Sequence, residues 1–164
     1  MPLWNIYHPP TTFTTPESKQ SLAASITSVY TAIPLPAFYV VVQFIPLPPT
    51  SFYIGATPRP SPSSSSPSPG PDPTRPFIRI TISNVARKIP SKEVGDRFLG
   101  MVDEALKPHI EDKGYDWEYS VEETSRDLWK INGLVPPMPG SVAERRWVEE
   151  NVVSEFERGE GGLE

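Results

Sequence analysis

The second residue of the chain, Pro2, is the group best suited to do chemistry. The initiator Met1 is normally removed when the next residue is small, and the chain would then begin with a secondary amine whose direction is fixed by its ring. Apolar surroundings and a nearby cation would both lower the pKa of this amine, because each disfavours the ammonium form. An amine with a pKa near neutrality is an effective general base. Many chains begin with Met-Pro without such a role, so the alternative is that Pro2 only starts the first strand.

Other reactive groups are scarce. The sequence has no cysteine, which excludes disulfide scaffolds, thiolate nucleophiles and cysteine-based metal sites. Its only imidazoles are His8 and His109, too few for most catalytic metal sites, so we expect no metal. The net charge of −5 and the absence of a basic stripe argue against nucleic-acid binding.

No segment predicts a membrane partner or export. The longest apolar run, residues 37–47, is about half of the ~20 residues that a membrane helix needs. The N-terminus lacks the basic and apolar regions of a secretory signal. We therefore expect a cytoplasmic protein with no membrane partner.

Two β-α-β units are predicted to position Pro2. In the first, alternation of apolar and polar residues over 3–8 predicts a strand. Thr15 is suited to cap a helix that opens at Pro16. The apolar stretch 38–45 then predicts a second strand covered on both faces. That helix should pack through the face formed by four residues: Leu22, Ile26, Val29 and Tyr30.

The second unit repeats this order. Strands are predicted at 77–83 and 115–121, with a helix opening at Pro90 and Ser91 between them. The first strands of the two units, and the prolines that open the two helices, are both 74 residues apart. Equal offsets at matching elements indicate an internal duplication.

The predicted fold class is α/β, an α+β sandwich. Two fused β-α-β units form a four-stranded sheet with two helices on one face, followed by a C-terminal helix. We assign one domain to residues 2–140, with units at 2–56 and 76–123, and a C-terminal helix and tail to residues 141–164. The helix is expected over 141–156, with Trp147 and Val152 spaced for contact with a neighbour. Because no remaining segment covers the other sheet face, we also expect oligomerisation through it.

Residues 57–75 join the two units. This stretch contains seven prolines and six serines, a composition that cannot bury enough apolar surface to fold, so a mobile polyproline-like loop is expected. It is interpreted as a passive insertion. The alternative is a partner-binding segment, although its PxP spacing provides no clear basic-flanked PxxP core.

The order of these elements resembles the tautomerase superfamily, in particular the fused double-length branch typified by cis-3-chloroacrylic acid dehalogenase. The similarity spans most of residues 2–140 outside the Pro/Ser loop. Its local anchors, besides Pro2, are Thr15-Pro16 with Lys19, Ile26-Thr27, the segment 52–55, Trp117 with Tyr119, and Pro139-Gly140.

The resemblance implies roles for individual residues. Pro2 matches the catalytic amine and Tyr119 the tyrosine that orients substrate or water. Of two carboxylate-binding arginines, one matches Arg87 and the other position holds Asn84; Tyr30 stands where the dehalogenase has a histidine.

The same alignment favours one reaction over another. The position of the water-activating glutamate falls on Lys130 or Ile131, and neither can act as that base. The resemblance thus favours an isomerase that tautomerises an enol or unsaturated 2-oxo acid, with promiscuous lyase or hydratase activity. It implies a small carboxylate substrate, no cofactor and a homotrimer. Two alternatives stay open: a hydratase or dehalogenase of a small 3-substituted acrylate, and a non-enzymatic interaction module with a decayed site.

Overall fold

The computed structural model describes residues 1–62 and 72–163, so residues 63–71 of the Pro/Ser-rich stretch lie outside the described residues. The strands are β1 (Leu3–His8), β2 (Val41–Pro46), β3 (Tyr53–Ile54), β4 (Thr57–Pro58), β5 (Phe77–Asn84) and β6 (Asp116–Glu123). The helices are α1 (Pro16–Thr31), α2 (Lys92–Leu106) and α3 (Val142–Glu150), with short 3-10 turns at Ala37–Tyr39, Pro49–Ser51, Glu111–Lys113 and Arg126–Leu128.

The main sheet has four strands in the order β2-β1-β5-β6. Strands pair in parallel within each unit, β1 with β2 and β5 with β6, and antiparallel where β1 meets β5. Helices α1 and α2 pack side by side over the buried face of Trp4, Ile6, Ile78 and Ile80. The predicted fold class, two fused β-α-β units with both helices on one face and a C-terminal helix, is confirmed.

Both major helices begin at the residues that the sequence indicated. The Thr15 hydroxyl accepts a hydrogen bond from the Ser18 amide at 3.2 Å, and the Ser91 hydroxyl accepts one from the Val94 amide at 3.3 Å. Each cap satisfies an amide that the first helical turn leaves unpaired.

The second strand starts later than expected. Pro36 leads into the 3-10 turn Ala37–Tyr39, so β2 begins only at Val41. The turn buries Tyr39 completely. Strand β2 lies at the sheet edge with most of its side chains partly exposed, so the expectation of cover on both faces was wrong.

The C-terminal helix is shorter than expected and packs on its own chain. It ends at Glu150 because Asn151 adopts φ = 50°, the left-handed conformation that closes a helix. The Asn151 side-chain oxygen accepts a hydrogen bond from the Phe38 amide at 2.9 Å. Trp147, expected to contact a neighbour, is 0% exposed inside its own chain. Val152 is exposed.

The sheet face opposite the helices is polar and partly exposed. Asn5 donates to the Thr81 hydroxyl at 3.3 Å, and Arg79 donates to the Ser120 hydroxyl at 2.8 Å. In the part of the chain that the structure describes, no helix is both long and apolar enough to cross a membrane.

Candidate active site

The amino end of the chain is buried at the start of the central strand β1. Pro2 is buried, and its carbonyl oxygen accepts a hydrogen bond from the Val41 amide at 2.9 Å. Burial, assisted by the positive charge of Arg126, lowers the pKa of the Met1 amine from 8.0 to about 4. Both causes act on the Met1 amine, and the Pro2 nitrogen is the next backbone nitrogen along the chain. Burial and a nearby cation are the causes considered above for a Pro2 amine, but the sequence did not identify Arg126 as a cation at this end of the chain.

Arg126 is that cation, and it lies in the 3-10 turn that follows β6. Its Nη2 donates to the Pro136 carbonyl oxygen at 2.8 Å and also to the Pro137 carbonyl. Its Nη1 is buried and has no hydrogen-bond partner among the described residues. Burial lowers the pKa of Arg126, as expected for a guanidinium withdrawn from water.

Tyr39 belongs to the same electrostatic neighbourhood. The charges of both Arg126 and Glu144 act on its hydroxyl, and burial raises its pKa well above the ordinary value. Its ring meets Trp129 edge-on, with centroids 5.1 Å apart, and Trp147 at 6.2 Å. Its hydroxyl is buried and, like Arg126 Nη1, has no partner in the described part of the chain.

Arg87 forms a two-pronged ion pair with Glu144. Its Nη1 and Nη2 each donate to a different carboxylate oxygen of Glu144 at 2.9 Å, and Glu144 is 3% exposed. The Gly140 amide adds a third hydrogen bond to the same carboxylate at 2.7 Å. Asn84 supports the arrangement by donating to the Arg87 carbonyl at 2.8 Å. Glu144 is thus fully engaged in holding Arg87 to α3.

The structure brings together three of the residues that the sequence analysis selected. Tyr30, Asn84 and Arg87 line one cavity of about 330 Å³ between the end of α1 and the start of α2. The Tyr30 hydroxyl accepts a hydrogen bond from the Trp4 indole at 2.9 Å, so it also has a place in the core. Two further cations, Lys88 and Arg97, line the cavity. The remaining walls are apolar: Ile33, Ile89, Pro90, Val94, Phe98 and Met101.

Tyr119 lies apart from this group within one chain. Its hydroxyl donates to Asp103 on α2 at 2.8 Å. Tyr119 lies in register with Ile80, which is paired with Ile6. It is therefore displaced from Pro2 by about 13 Å along the strand direction, taking about 3.3 Å per residue. Burial and the adjacent carboxylate raise the pKa of Tyr119.

The described residues contain no group of three or more metal-binding side chains. His8 contacts Thr12 through Nδ1 at 3.1 Å, whereas His109 contacts Ser25 through Nε2 at 2.9 Å. Burial lowers the pKa of each histidine. The two imidazoles thus have separate partners, one four residues away and one on α1.

Sequence reasoning missed Tyr39, Arg126 and Glu144. Glu144 follows Ser141 by three positions, the spacing of a helix capping box, which would have suggested a local role only. The Ser141 hydroxyl does accept a hydrogen bond from the Glu144 amide at 3.1 Å, but the Glu144 carboxylate binds Arg87, which lies 57 residues away. Tyr39 and Arg126 are 87 residues apart and carry no shared motif.

Fold and site together define a fused, double β-α-β protein whose buried amino end lies beside a guanidinium. The chain matches the family model described as "Putative oxalocrotonate tautomerase enzyme" over residues 1–152, and it belongs to that family.

Solved structures agree with this assignment. Native RhCC from Rhodococcus jostii RHA1 is 35% identical, with a TM-score of 0.82 and coverage of 94% of this chain and 99% of that one. A protein of Aspergillus fumigatus, described as "a probable enzyme", is 44% identical, with a TM-score of 0.80 and coverage of 95% and 98%. A fused 4-OT, described as an asymmetric trimer, shares the fold at 18% identity, with a TM-score of 0.55 and coverage of 80% and 94%. No curated protein sequence gives a significant match.

Proposed function

We propose that this chain, once Met1 is removed, is a tautomerase in which the Pro2 amine moves a proton between the oxygen and the carbon of an enol or unsaturated 2-oxo acid. One observation carries the proposal. Pro2 is buried at the start of β1, and burial together with the charge of Arg126 lowers the pKa of the amine of the residue before it, Met1. The same two causes would favour a neutral Pro2 amine, the form that a general base requires, once Met1 is removed.

The proton balance needs no cofactor. The neutral nitrogen of Pro2 accepts the enol O–H proton, the C–O bond becomes a carbonyl, and the resulting ammonium returns the proton to the former double-bond carbon. Product and substrate are isomers, and the amine ends neutral. Placing this nitrogen directly before a central strand, which begins at Leu3, limits its motion and favours such transfers.

Arg87, Asn84 and Tyr30 are proposed to contact the substrate, and their shared cavity supports this role. The cavity is largely apolar, which suits the hydrocarbon part of an unsaturated acid. Arg87 can bind a substrate carboxylate only if its guanidinium contacts Glu144 and the substrate together, or if it breaks its ion pair with Glu144. The catalytic role of Tyr119 stays a prediction, since its hydroxyl contacts Asp103 in this chain.

The hydratase or dehalogenase alternative needs a carboxylate that activates water near Pro2. Glu144 is the buried carboxylate of this neighbourhood, but three N–H donors already engage its oxygens. The geometry therefore supports proton transfer better than hydration.

We also propose a homotrimer. The fused 4-OT structures, which share the fold, are described as trimers. The partly exposed polar face of β1 and β5 offers a surface for such contacts. Molar mass by light scattering tests this directly.

The test of the proposed function is the reactivity of the amino end. Intact mass should show loss of Met1, and incubation with 3-bromopropiolate should add one label, mapped to Pro2. Purified protein should tautomerise phenylenolpyruvate, and a form that retains Met1 should not. A second variant, Pro2→Ala, tests the contribution of the ring, because it keeps a terminal amine but lacks the ring. Full activity with Met1 attached would overturn the mechanism, and an unlabelled, inactive processed chain would favour a non-enzymatic module.

A further inference from the structure

We propose that Arg126 and Tyr39 form a carboxylate-binding site beside the amino end, next to the Arg87–Glu144 pair but made by different donors. In catalysis this site would hold the carboxylate of the enol or 2-oxo acid against Pro2, and to that extent the inference rests on the proposed function. Binding of the carboxylate itself does not depend on Pro2.

The first argument is the way Arg126 is held. Two backbone carbonyls, of Pro136 and Pro137, fix one terminal nitrogen, and the guanidinium carbon lies 5.3 Å from the ring centroid of Trp129. The other terminal nitrogen is buried without a partner among the described residues. A guanidinium that is already immobilised and has one free terminal nitrogen can bind an acceptor without the entropy cost of ordering its side chain.

The second argument is that Tyr39 presents a matching donor. Its side chain is 0% exposed, and its ring is fixed by Trp129 and Trp147. Buried polar groups are nearly always hydrogen-bonded, so two unpaired ones in one electrostatic neighbourhood require explanation. A carboxylate has two oxygens, one for each of these donors.

The third argument is charge. In the described part of the chain Arg126 forms no ion pair, whereas Glu144 already balances the charge of Arg87. A bound carboxylate would supply the missing counter-charge. The Met1 side chain packs against the core, and its amine lies near enough to Arg126 for the charge to act on it. Removal of Met1 would take away a residue that packs against the core at the end of the chain where Pro2 becomes the first residue.

The experiment uses the full-length, processed protein and two unreactive carboxylates of different size, propionate and phenylacetate. Binding is measured by isothermal titration calorimetry for wild type, Arg126→Gln and Tyr39→Phe. The controls are Arg145→Gln and Tyr53→Phe, which change exposed residues of the same types. We expect at least one of the two acids to bind wild type and the controls alike, with roughly 10-fold or greater loss in both site variants, the usual effect of losing a hydrogen bond to a charged group.

The Tyr39→Phe variant keeps the test decisive if Arg126→Gln fails to fold, because it removes only a hydroxyl that has no partner. Binding of neither acid to wild type, or equal affinity in wild type and Tyr39→Phe, would overturn the site.

A second arm separates this inference from the proposed function. The rate of Pro2 labelling is measured with 3-bromopropiolate and with its uncharged methyl ester. The site variants should raise the half-saturating concentration of the acid roughly 10-fold or more and leave the rate with the ester within about 2-fold. Labelling of Pro2 with no effect of the variants refutes the carboxylate site alone. Acid binding without any labelling of Pro2 refutes the proposed function alone.

Discussion

The ion pair between Arg87 and Glu144 gives a prediction whose size follows from the structure. In Glu144→Gln the guanidinium loses the charge opposite it, and one of its two 2.9 Å hydrogen bonds meets an amide N–H₂ instead of an oxygen. Breaking a buried pair by removing one partner costs about 3–5 kcal/mol. The Arg87 side chain is 26% exposed, so water compensates part of the loss and the lower end applies. We expect the free energy of unfolding to fall by about 3 kcal/mol, equivalent to a Tm lower by about 6–12 °C.

Urea unfolding at fixed protein concentration measures this loss. The matched control is Glu149→Gln, an exposed carboxylate on the same helix, which should stay within about 0.5 kcal/mol of wild type. A loss below about 0.5 kcal/mol in Glu144→Gln would show that the pair does not hold α3 in place, and the reasoning would be refuted.

The same variant tests the proposed role of Arg87. If Arg87 also binds carboxylates, removing its internal partner should increase the affinity of the protein for phenylacetate while lowering its stability. Unchanged affinity would assign Arg87 to structure alone.

Further predictions concern Tyr30, His8 and the Pro/Ser-rich stretch with its anchor Arg59. Tyr30→Phe leaves the buried Trp4 indole without its acceptor and should lower the free energy of unfolding by about 1–2 kcal/mol, measured by urea unfolding. Burial lowers the pKa of His8 in the folded state. The stability that neutral His8 contributes is therefore present above pH 6.5 and is lost as the pH falls below that value. Between pH 7.5 and 5.5, wild type should lose more stability than His8→Gln. Replacing residues 63–71 by two glycines should change stability by no more than about 0.5 kcal/mol, whereas Arg59→Ala should cost about 3 kcal/mol, because it breaks a pair in which the Arg59 side chain is 4% exposed.

Each of these has an outcome that contradicts it. A Tyr30→Phe variant as stable as wild type would mean that the indole finds another acceptor. Equal loss of stability in wild type and His8→Gln would show that another group titrates. A replacement of residues 63–71 that costs as much stability as Arg59→Ala would show that the two ends of the stretch do not hold each other. Loss of a bound protein in a pull-down with the replaced chain would favour the partner-binding interpretation of the Pro/Ser stretch.

The fold was largely predictable because its signals are local. Strand β1 follows from strict alternation. Helix α1 follows from Thr15, whose hydroxyl caps it as expected, and α2 from the predicted opening at Pro90 and Ser91, where the Ser91 hydroxyl proves to be the cap. The ends of elements were harder. Asn151 closes α3 early through a left-handed backbone, and its bond to the Phe38 amide is a tertiary contact with no sequence signal.

The site was only partly predictable for the same reason. Asn84, Arg87 and Tyr30 were all selected through the resemblance. Tyr39 and Arg126 come together only because the 3-10 turn before β2 and the turn after β6 meet at one end of the sheet. No period or motif links them, so only the three-dimensional fold could show that two unpaired donors share one place.

The base of the Pro/Ser-rich insertion has a consequence for engineering. The Ser61 amide donates to the Pro73 carbonyl at 2.7 Å, and Arg59 joins the same region to Asp116 of β6 at 2.5 Å. The two chain ends that enter and leave the insertion are thus joined to each other independently of what lies between them. Loop entropy grows only logarithmically, so doubling the intervening length costs about 0.6 kcal/mol. This position can therefore receive an affinity tag, a fluorophore-binding peptide or a whole small domain while leaving the amino end of the chain free.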